Sequence, residues 1–171
     1  MRRLAFMFGL AVVILAFAPP AAARVTSSLE ARFNEGFGRA TAHPCPAGAD
    51  LCGTGTVSGF GEATSVLEVI SFTNFDAATS CADIVFRRTI TLVEDGSTLV
   101  LTETGTICFP GQSTLAPGSL KSFGNPFTIE ATFTIDRGTG VFKGASGSGT
   151  DQVRTAGDAG SSALSGTITL R

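Results

Sequence analysis

The stretch "CADIVFRRTITLVEDGSTLVLTETGTIC", Cys81 to Cys108, decides how this chain is read. Asp95-Gly96 stands between two runs in which apolar and polar residues alternate. That is the strongest short-range signal for a β-hairpin. A two-residue turn there sets Glu94 opposite Ser97. Ile84 then faces Ile107, Phe86 faces Gly105, Ile90 faces Leu101 and Leu92 faces Leu99. These pairs share one face and are nearly all apolar. The other face sets Arg87 against Thr104, Thr89 against Thr102 and Thr91 against Val100, and is polar. A one-residue slip would send the apolar set to the wrong side, so the match supports the phase.

Two consequences follow from this register. Cys81 and Cys108 lie diagonally across the open end of the hairpin, within reach of a disulfide after a small distortion. Cys45 and Cys52 are left to pair with each other. Arg88 and Glu103, directly opposite, fall on the apolar face. A charged pair there is costly to desolvate unless it is well hydrogen-bonded. It reads first as a structural ion pair that fixes register near the rim. It reads second as a polar anchor in an apolar cavity, with Phe86 and Leu101 beside it, where a ligand is oriented or developing charge stabilised. Glu68 joins this candidate set if its strand turns Val66, Ile70 and Phe72 inward. The opposite phase, with Leu67 and Val69 inward, fits nearly as well.

The same alternation recurs along the chain. Phe127, Ile129, Ala131, Phe133 and Ile135 interleave with Thr128, Glu130, Thr132, Thr134 and Asp136. Leu164, Gly166, Ile168 and Leu170 alternate with Ala163, Ser165, Thr167 and Thr169. Period two marks a strand with one buried face. Further strands are predicted near 28–34, 54–62, 64–73, 83–93, 98–108 and 147–155. The expected fold is all-β, an eight-stranded antiparallel up-and-down barrel, with a β-sandwich as the alternative. Irregular loops are expected near 34–53, which holds Pro44, Pro46 and the Cys45/Cys52 pair, and near 110–126.

Residues 1–23 read as a signal peptide ahead of a single domain over 24–171. Arg2 and Arg3 precede an apolar run from Leu4 to Ala18, and Ala21-Ala22-Ala23 supplies the small residues of a cleavage site. A bilayer span needs about 20 apolar residues, more than this run provides. The expectation is Sec-type export to a periplasmic or extracellular space, where an even count of four cysteines means two disulfides. Beyond residue 23 there are 10 basic side chains against 14 acidic ones, without a basic stripe, so nucleic acid is not the expected partner. No pair of cysteines has C-x-x-C spacing and His43 is the single histidine, so no metal and no cofactor are expected.

The glycine-rich stretch "GTGVFKGASGSGT", Gly138 to Thr150, is not a phosphate loop. Lys143 precedes Gly144 instead of following a glycine into a helix, and it stands where a dinucleotide fingerprint requires glycine. No G-x-S-x-G elbow is present. With strands on both sides, the stretch reads as a tight connection whose glycines allow positive φ, with Phe142 plugging one end.

The segment "FTIEATFTIDRGTGVFKGASGSGT" resembles the C-terminal part of the allene oxide cyclase-like and dirigent-like β-barrels. In that group a strand ends in a Gly-Thr-Gly turn, here Gly138, Thr139 and Gly140, and a short link follows, here Phe142, Gly144, Ala145 and Gly147. The resemblance implies an eight-stranded barrel with an apolar cavity. It covers mainly the last third of the chain and carries over no site residue. The expected function is that of an exported small barrel binding a small apolar molecule through Arg88, Glu103, Phe86 and Leu101. One alternative is a cyclase or isomerase acting on a reactive small molecule, with Arg88, Glu103 and Glu68 as catalytic candidates. The other is an extracellular or cell-envelope interaction module with a solid core.

Overall fold

The structure is a computed structural model and describes residues 24–37, 45–110, 126–156 and 159–171. The predicted signal peptide, His43 and most of the 110–126 loop lie outside the described residues. Eight strands follow one another: β1 (Val25–Gly36), β2 (Leu51–Val57), β3 (Gly61–Asp76), β4 (Cys81–Leu92), β5 (Thr98–Cys108), β6 (Thr128–Gly138), β7 (Ser146–Ala156) and β8 (Ala159–Leu170). Each pairs antiparallel with its neighbours in sequence. β8 returns to β1, from Val25 opposite Leu170 to Gly36 opposite Ala159, and closes the barrel. The chain is therefore an all-β, eight-stranded up-and-down barrel without a free edge.

Period-two patterning accounts for the closure. In β6, Ile129, Ala131, Phe133 and Ile135 are buried, and Thr128, Glu130, Thr132 and Thr134 between them are exposed. Thr102, Thr134, Ser148, Thr167 and Ser28 stand opposite one another in turn, a row of hydroxyls across five strands of the outer wall. The apolar faces meet inside, which is where the hydrophobic free energy is gained.

The β4–β5 hairpin departs from the expected register by two residues. Thr91 lies opposite Thr98, Arg88 opposite Leu101, Phe86 opposite Glu103, and Cys81 directly opposite Cys108 rather than diagonal to it. The turn is wider than two residues: Leu92 N–H donates to Ser97 O at 2.9 Å, and Val93 to Gly96 lie outside that bond. The carboxylate of Asp95 accepts from Ser97 N–H at 2.8 Å and from its hydroxyl at 2.7 Å, which locks the wider loop, and Gly96 takes φ 71°. An even shift leaves every side chain on its expected face. β2 stops at Val57 rather than running on to residue 62, because Gly59 and Gly61 take φ of 80° and 97° and turn the chain into β3. Both disulfides form as expected, Cys45–Cys52 and Cys81–Cys108. They suit an oxidising compartment. Among the described residues no helix is long and apolar enough to cross a membrane.

The interior has two apolar ends. At the end reached by the short turns, Leu29, Ile90, Leu99, Phe133, Phe142 and Ile168 pack together. The apolar side chains expected to face inward at this end are buried apart from Leu170, which is half-buried. The glycine-rich connection forms a 3-10 turn, Gly140–Phe142, and tucks Phe142 under the barrel, its ring centroid 4.8 Å from that of Phe60. Gly140 has φ 56°, and a Cβ on it would lie 2.0 Å from Ser97 Oγ, the atom that accepts from Val141 N–H at 3.1 Å. The other end carries the long connections and both disulfides. Leu51, Leu67, Phe86, Phe109, Phe127 and Ile129 fill it. There β3 is broken by irregularities after Val69 and after Thr73, and the Asp50 carboxylate accepts from Val69 N–H at 2.8 Å.

Replacing Cys81 and Cys108 together by Ser should cost about 3 kcal/mol through the larger freedom of the unfolded chain, read as a lower urea midpoint. Phe142→Ala, emptying one end, should cost about 3–5 kcal/mol in the same assay.

Candidate functional site

Between the two apolar ends the barrel is crossed by a belt of polar side chains. Its centre is Arg88 of β4, which shares the inward phase of Ile84, Phe86 and Ile90 and is wholly buried. Its guanidinium meets three carboxyl groups from three other strands. Nε–H donates to Glu103 Oε1 of β5 at 2.9 Å, and Nη2 donates to Asp151 Oδ2 of β7 at 2.7 Å. Nη1 donates to Glu35 Oε1 of β1 and, at 2.7 Å, to Ser65 Oγ of β3. The Ser65 hydroxyl donates to Glu35 Oε1 at 2.7 Å. Ser162 of β8 lies opposite Phe33 and Val153, two residues from both Glu35 and Asp151, and is buried as well.

One fully buried cation faces three buried acids. Arg88 is held even more firmly protonated than an ordinary arginine: burial opposes its charge, but Glu35, Glu103 and Asp151 together outweigh that penalty. Glu103 is pushed well above the usual carboxylate range by burial, which together with the neighbouring charge of Asp151 outweighs the attraction of Arg88. The second carboxyl oxygens, Glu35 Oε2, Glu103 Oε2 and Asp151 Oδ1, and the Ser162 hydroxyl receive no N–H or hydroxyl donor. Among the described residues no group of His, Cys, Asp or Glu is arranged to hold a metal ion.

Arg88 and Glu103 are thus brought together as anticipated, at the waist of the barrel and not at its rim, with Phe86 and Leu101 buried on either side of them. The inward reading of Glu68 is corrected. Leu67 takes the buried phase, and Glu68 points outward to Arg87 at 3.9 Å, both about half exposed. Glu35, Ser65 and Asp151 escaped the sequence reading. Each continues an inward period: Glu35 after Leu29, Ala31 and Phe33, Ser65 between Ala63 and Leu67, and Asp151 before Val153. A cavity of about 270 Å³ lies outside the barrel, at the short-turn end, lined by Arg24, Gly144, Ala145, Ser146, Thr169 and Arg171. Compared with family models, curated proteins and solved structures, the chain matches none.

Fold and site together define a closed, disulfide-stapled small barrel with an ionic waist. Arg88→Met should lower stability by about 3–5 kcal/mol, because three buried carboxyl groups lose their cation. Adding Glu35→Gln, Glu103→Gln and Asp151→Asn to Arg88→Met should recover part of that loss in urea denaturation.

Proposed function

We propose that this is an exported barrel that takes a small apolar molecule at its disulfide-bearing end, above the ionic waist. One observation carries the reading. Phe37, Phe72 and Phe75 are only half-buried and sit with Val69 on the buried layer of Phe86, Phe109 and Phe127. Phe37 meets Phe127 edge to face at 5.9 Å, and Ile70 nearby is 52% exposed. An apolar patch of this kind supports the reading of a binding surface for a small apolar molecule. In this reading Arg88, Glu103, Phe86 and Leu101 support the floor beneath the ligand. The buried Arg88 and Glu103 also make the cyclase alternative the weaker one, since neither has surface to offer a substrate. Export is supported by the leader-like residues 1–23 and the two disulfides. Kinship with the allene oxide cyclase-like and dirigent-like barrels is proposed on the Gly138–Gly147 motif and the eight-stranded closure.

A second reading, a solid interaction module, is favoured by the filled waist, where Arg88, Glu103 and Ser65 have no exposed surface. A fluorescent neutral naphthylamine titrated into the protein separates the two. Saturable binding weakened about tenfold by Phe75→Asp, or about 1.4 kcal/mol, is expected. Absence of binding, or binding indifferent to Phe75→Asp, leaves the solid module. Mass analysis of the secreted chain should find its first residue at Arg24.

A further inference from the structure

The guanidinium of Arg88 is used in an unusual way. Nε and Nη2 flank one edge of its plane, and a single carboxylate ordinarily accepts from both. Here the edge is divided: Glu103 Oε1 accepts from Nε at 2.9 Å and Asp151 Oδ2 from Nη2 at 2.7 Å. Two buried carboxyl groups from β5 and β7 are thereby set side by side on one guanidinium edge. Carboxylates only accept, and the second oxygens, Glu103 Oε2 and Asp151 Oδ1, are buried without a donor, so a hydrogen bond between the two groups would require a proton.

We propose that Glu103 and Asp151 hold one proton between them, and that this proton keeps the barrel's waist closed. With all three acids ionised, the cluster would carry two negative charges beyond Arg88; the shared proton removes one of them. The neighbours offer no substitute. β1 contributes Glu35, already on Nη1 of Arg88, β3 contributes the Ser65 hydroxyl, and β8 contributes Ser162. β6 presents Ala131 and Phe133, and β2 presents Gly53 and Gly55, so neither brings a charge. Ionisation of the pair would press two like charges together where water cannot screen them, as in other carboxyl dyads.

The sign of the pH effect follows. The folded barrel keeps the proton above the ordinary carboxyl range, and the unfolded chain gives it up there. The proton's stabilisation is complete below that range and is lost as pH rises through the higher folded value. In that window the folded state binds one more proton, so the unfolding constant should rise about tenfold per pH unit.

The test is urea denaturation of the full chain between pH 5 and 8.5, with Glu103→Gln and Asp151→Asn beside the wild type. The amide of Gln can donate the hydrogen bond permanently, so Glu103→Gln should flatten the profile. Infrared spectra of the wild type at neutral pH should contain the C=O stretch of a protonated carboxyl that disappears in Glu103→Gln. This second measurement needs only the folded wild type if neither variant folds. A wild-type profile that is flat or rises with pH overturns the proposal, as does a slope surviving in both variants or the absence of that band.

Discussion

Arg88 cannot be solvated where it lies, and the remainder of the barrel is arranged around that fact. A guanidinium taken out of water costs several kcal/mol unless its N–H groups and its charge are met inside the protein. Here they are met from β1, β3, β5 and β7, so one side chain ties its own strand to four others. A slip of any of these strands by one residue would turn its partner to the outside. A slip by two would keep the phase but move the partner about 7 Å along the strand, beyond hydrogen-bond reach. The belt contributes little net stability compared with apolar packing of the same volume. It does discriminate among the registers that apolar packing alone would tolerate.

The two ends of the barrel answer different demands. The short-turn end is sealed by Phe142 and Phe60, with Ser97 and Gly140 in close contact beneath them. The opposite end carries the long connections, and there the chain relies on covalent ties. Cys45–Cys52 anchors the segment entering β2, and Cys81–Cys108 joins β4 to β5 where the ladder ends. β3 is irregular at the same end and holds its half-buried phenylalanines on a frame that the disulfides and Asp50 stiffen. A stiff wall under an apolar surface is the arrangement that lets a ligand bind without a large ordering cost.

Much of this was legible in advance, because a β-barrel writes its inside and outside into alternate residues. The strands β4, β5, β6 and β8 were identified from their period, and the disulfide pairing followed from the hairpin phase. The exact register did not follow. Whether the turn spans two residues or four depends on the Asp95 carboxylate reaching Ser97, a contact that composition does not reveal. The phase of β3 was ambiguous for a related reason. Leu67/Val69 and Val66/Ile70 are equally apolar, and pairing of Leu67 with Leu51 and Arg88 settles which set faces in.

By itself, the sequence determined the class of the fold, the burial of Arg88 and Glu103 on one face, and the pairing of the four cysteines. These rest on local alternation and on neighbours in one hairpin. Only the tertiary structure decided that Arg88 stands at the waist and answers to three acids. Glu35 and Asp151 lie 53 and 63 residues from it in the chain. Their convergence depends on β8 closing against β1, and no local pattern encodes which distant strands a closed wall brings face to face.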